Sequence, residues 1–68
     1  MTAIVRTENS EYVVVSRPEF GVTVVRSNGT STKGGYVALE RGYMVLRDDT
    51  FRALMTTSTV VAIHILTN

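Results

Sequence analysis

The apolar residues of this chain come in short β-branched runs, and none keeps a 3.6-residue stripe long enough to make a helix. Val, Thr and Ile fill about a third of the chain, and these side chains pack best on a pleated surface. Turn residues punctuate the runs at intervals of roughly eight to twelve positions, the spacing of a small all-β barrel or sandwich.

Asn28-Gly29 is the sharpest local signal. Between β-rich flanks this pair predicts a two-residue type I′ hairpin, because both positions of that turn need φ > 0. It separates a strand over residues 21–27 from a partner over 30–33. Gly34-Gly35 then predicts a bulge or sharp bend, with the strand resuming at Tyr36-Val37-Ala38-Leu39. After a short turn at Glu40-Arg41-Gly42, further strands are expected over residues 43–47, 51–55 and 60–66. Thr56-Thr57-Ser58-Thr59 is expected as a tight link. Upstream, Glu11–Ser16 has strand composition, and Arg17-Pro18 should end it.

Charge and chemistry exclude more than they include. Seven Lys and Arg stand against six Asp and Glu, so no bulk basic field announces nucleic acid. Cysteine is absent and histidine occurs once, as His64, which leaves no disulfide framework, thiolate cage or multi-histidine metal site. Without a cysteine nucleophile, a second histidine or a carboxylate pair with a reason to be buried, the chain reads as a non-enzyme with no cofactor. Gly29 and Gly34 have P-loop spacing, but Gly35-Tyr36 follow where Lys and Ser/Thr are needed. No apolar run approaches the roughly 20 residues that span a bilayer, and no secretory signal opens the chain, so the expected location is the cytoplasm. A domain of 68 residues buries only about 60% of its unfolded surface, so with no staple available self-association is expected.

The order of these pieces resembles the Sm-like (LSm, Hfq-like) family over roughly Val22–Ile65. The hairpin Val22–Gly29 looks like that family's first strand and turn. Gly34–Leu46 follows at the spacing of its first motif, and Ala53–Ile63 resembles the second. The resemblance implies a single domain over residues 1–68, with an N-terminal segment at 1–20. Residues 21–66 would form a strongly bent, five-stranded antiparallel barrel. It also implies a homo-oligomeric ring of about five to seven subunits closed by strand pairing, binding single-stranded RNA as a chaperone or regulator. The alternative is a structural assembly ring without nucleic acid. Glu40 stands where the family has aspartate, and Thr56-Thr57 replaces its basic pair. Gly29–Lys33 and the Gly42 strand are also similar to the tryptophan-activated RNA-binding attenuation protein family, another all-β ring former. The regularly spaced basic residues of that family are missing here.

In the Sm-like reading the candidate RNA-binding residues are Glu40, Arg41, Gly42 and Tyr43, with Thr56 and Thr57 beside them. An aromatic ring stacks on a base, an arginine takes phosphate or base edges, and hydroxyls donate. The plainer reading makes Glu40 and Arg41 solvated turn residues, Tyr43 core, and the threonines partners of local backbone. His64 should lie on the face opposite Ile63 and Ile65, and Asp48-Asp49-Thr50 reads as a solvated turn.

Overall fold

A computed structural model describes residues 1–67; Asn68, counted above in the single domain, lies outside them. Seven strands form: β1 Thr2–Thr7, β2 Glu11–Arg17, β3 Gly21–Arg26, β4 Ser31–Gly34, β5 Tyr36–Glu40, β6 Tyr43–Arg47 and β7 Ala53–Thr67. All pair antiparallel in the order β4-β3-β2-β1-β7-β6-β5, and the sheet curls into a half-barrel. No helix among the described residues is long and apolar enough to cross a membrane.

Two devices produce the curl. The fifteen-residue β7 serves both ends of the sheet: residues 53–59 pair with β6, and residues 60–67 pair with β1. The bend expected at Gly34-Gly35 separates β4 from β5, so one run of chain pairs first with β3 and then with β6. Gly34 is sterically required, whereas Gly35 is crowded mainly by the tip of the exposed Asp49 side chain. A Cβ on Gly34 would lie 2.8 Å from Leu46 Cγ, and one on Gly35 would lie 2.6 Å from an Asp49 carboxylate oxygen.

The core lies inside the curl. Alternation along β1 turns Ala3, Val5 and Thr7 inward, and β2 and β3 add Val14, Val22 and Val24. From the other limb Met44, Leu46 and Met55 meet them. This is the half-buried period-2 pattern expected of such strands.

Four expectations are corrected. The sheet has seven strands rather than five, because residues 2–17 contribute β1 and β2. Thr56–Thr59 is continuous strand, not a link, since Thr is a good strand former and its hydroxyls find partners without a turn. The last limb begins at Ala53 rather than Phe51, because Phe51 takes φ +67 and closes the preceding loop. The Asn28-Gly29 turn is not type I′. Only Gly29 has positive φ, and the loop closes by Gly29 N–H to Arg26 O at 2.9 Å and Arg26 N–H to Thr30 O at 2.8 Å. Asn28 Oδ1 accepts from both the Thr30 N–H and its hydroxyl, which stabilises this longer loop.

Candidate nucleic-acid interface

The two-residue turn with both centres at positive φ is at Arg41 (54°) and Gly42 (87°), joining β5 to β6. A non-glycine residue there costs about 1–2 kcal/mol, and what this position presents is an exposed arginine. Gly42 meets the geometric demand of the second position, and its carbonyl accepts from Val60 N–H at 2.7 Å.

Glu40 and Tyr43 flank the turn as a cross-strand pair. The Glu40 side chain turns away from Arg41 and runs along the sheet to Arg47. Nε and Nη2 of that arginine donate to its two carboxylate oxygens at 2.9 Å each. This fork-to-fork pairing holds the Glu40 carboxyl below its ordinary range and raises Arg47 in return. Among the described residues Arg41 has no ion pair, as is also true of Arg17, Arg26 and Lys33, while Arg6, Arg47 and Arg52 each have one. Tyr43 is half-buried.

The two threonines separate. Thr57 is buried, and its Oγ1 accepts the Met44 N–H at 3.1 Å and donates to the Ser58 carbonyl at 2.8 Å. It is structural. Thr56 is exposed and borders a polar cleft of about 370 Å³ with Ser10, Tyr12, Arg26, Ser27 and Asn28, to which the β5–β6 turn does not contribute. The structure thus keeps Glu40, Arg41, Gly42 and Tyr43 together in one turn, with Thr57 buried against Met44 beside it and Thr56 facing a separate cleft.

Sequence reasoning missed the other end of the Glu40–Arg47 pair. Arg47 Nη1 also donates to the Phe51 carbonyl at 2.8 Å. The Phe51 and Tyr36 rings make a T-shaped contact, with centroids 6.1 Å apart and planes at 74°. An aromatic residue directly after the Asp48-Asp49-Thr50 turn was the available signal. Asp48 organises that turn: its Oδ1 accepts from Thr50 N–H, Thr50 Oγ1 and Arg52 N–H. The Thr50 hydroxyl is the main reason its carboxyl is held low.

None of the six candidate residues lines the apolar cleft of about 340 Å³, whose walls include Ala3, Val5, Val14, Leu39, Ile63 and Ile65. His64 is exposed beside Ile4, on the face away from Ile63 and Ile65. Among the described residues no group of three or more His, Cys, Asp or Glu is placed to hold a metal ion. Comparisons with protein-family models, curated proteins and solved structures find no match.

Proposed function

We propose that this chain assembles into a homo-oligomeric ring of about five to seven subunits. In keeping with the Sm-like resemblance, the ring would bind single-stranded RNA in the cytoplasm, as a chaperone or regulator. The observation that carries the ring is an apolar cleft left open beside unpaired strand edges. β4 and β5 end the sheet, and residues 61–67 of β7 pair only with β1. Leu39, Ile63 and Ile65 stay exposed around the cleft. A long apolar edge is a template for another chain, and a closed cycle of subunits covers every such edge at once.

RNA binding rests on Arg41, an arginine free of carboxylate and held in a left-handed turn beside Tyr43. Ring symmetry repeats this modest contact, so weak sites act together through effective concentration. A net charge of +1 favours the second reading, a structural ring without nucleic acid.

Light scattering and fluorescence polarisation with U-rich and A-rich oligonucleotides over a salt series test both. Arg41→Ala should weaken binding and reduce the salt slope by about one for each subunit whose turn contacts a phosphate. Tyr43→Ala should cost about 1–3 kcal/mol per stacked base and leave the slope alone. A monomer at micromolar concentration removes the ring. A ring that binds no oligonucleotide at low salt leaves the structural reading.

A further inference from the structure

Phe51 is the least comfortable residue in the molecule. Its backbone sits at φ +67, where a bulky side chain is a clear outlier. Phe51 is 71% exposed, the most of any large apolar residue among the described residues. Water exposure and backbone strain both disfavour this arrangement, yet hydrogen bonds on both sides hold it. The Phe51 N–H donates to the Asp48 carbonyl at 3.1 Å, and its own carbonyl accepts from Arg47 Nη1 at 2.8 Å. Arg47 is in turn fixed by both oxygens of Glu40, and Asp48 by Thr50 and Arg52. Strain of this kind persists only where the surroundings over-determine it, and such positions cluster where ligands are gripped.

We propose that Phe51, braced by its T-shaped contact with Tyr36, is a stacking platform for an unpaired nucleobase. This inference rests on the RNA-binding reading and adds a second contact to the Arg41 turn. The T-shaped contact with Tyr36 braces the phenylalanine ring, and with Phe51 71% exposed, ring surface remains open to a planar ligand. Tyr36 and Tyr43 belong to the same β5–β6 hairpin, and Arg47, which reaches Phe51, pairs with Tyr36 in register. The hairpin that carries Arg41 at one end therefore carries an aromatic pair at the other, joined by the Glu40–Arg47 bridge. Stacking tolerates any base because each has a π-face, so the platform adds affinity without adding sequence choice.

Phe51→Gly is the decisive variant, because glycine accepts φ +67 without strain while removing the ring. It should fold with an unchanged or higher melting temperature and keep the ring size of the parent. Its oligonucleotide affinity should fall about 5- to 150-fold with the salt slope unmoved. The chain has no tryptophan, so Phe51→Trp supplies a lone reporter whose fluorescence should be quenched as oligonucleotide is added. Parent-like affinity in Phe51→Gly overturns the platform while leaving the RNA reading intact. A changed oligomeric state in that variant also overturns it, since the ring would then face a second copy. If the parent chain binds no oligonucleotide at low salt, the RNA reading itself fails, and the platform with it.

Discussion

The hydroxyl of Thr57 does the work of a backbone carbonyl where β6 and β7 slip register between Tyr43 and Val45. A bulge leaves a ladder group without its partner, and here the stranded Met44 N–H is buried, so the side chain has to answer it. Thr57→Val keeps the shape and removes the acceptor. It should cost about 1–3 kcal/mol in urea unfolding, whereas Thr57→Ser should stay near the parent; equal loss in both would assign the effect to packing. The carboxyls of Glu40 and Asp48 make a different prediction. Both are held below their unfolded values, so their stabilisation is complete above the ordinary carboxylate range and is lost as pH falls through the lowered values. The melting temperature should therefore drop on acidification below about pH 4. Glu40→Gln should lower it at neutral pH and flatten the acid slope. An unchanged slope would show that the Glu40–Arg47 pair does not contribute.

The strands themselves were largely legible. β-Branched runs mark β2 and β3, and the apolar run Tyr43–Leu46 marks β6, each to within about a residue or two, and paired glycines mark the bend. Residues 2–7 were not read as strand, because their value as a strand lies in β7, far along the chain. Thr56–Thr59 was misread because hydroxyl residues suit turns and strands alike; the Met44 N–H and the Thr7 hydroxyl, invisible locally, decide the matter. The site was legible to a similar degree. Glu40-Arg41-Gly42 is legible as a turn, but Glu40's commitment to Arg47 depends on the hairpin register. The bend carries its own prediction. Gly34→Ala drives a methyl group into Leu46, which is 1% exposed, so it should cost about 1–3 kcal/mol by overpacking. Gly29→Ala meets no atom within 4 Å and should cost only its backbone strain, about 1–2 kcal/mol. Leu46→Val on the Gly34→Ala background should recover part of the loss; no recovery would place the damage in the backbone.

At the scale of the molecule, a half-barrel this small leaves apolar surface in water. Ile63 and Ile65 face the same side as Val5 and Ala3, yet remain exposed because β5 and β6 do not extend over them. The double change Ile63→Lys with Ile65→Lys should leave the monomer folded and dissolve any assembly. Light scattering reads the mass and circular dichroism the fold. An unchanged mass would move the subunit interface to another edge.

The pairing of β1 with β7 also sets the tempo at which the chain acquires its fold. Ile4 meets His64, so the central contact of the sheet joins segments about sixty residues apart. Topology of this kind has high contact order, since most of the loop-closure entropy is spent before the reward arrives, and such domains fold in milliseconds to seconds. During synthesis β1 can pair with β2 early, but its other side waits until β7 has emerged. Throughout that interval Ala3 and Val5 lie at an open margin that a strand from a neighbouring nascent chain is able to fill. Exchange of β7 between copies is thus the characteristic misassembly for this topology.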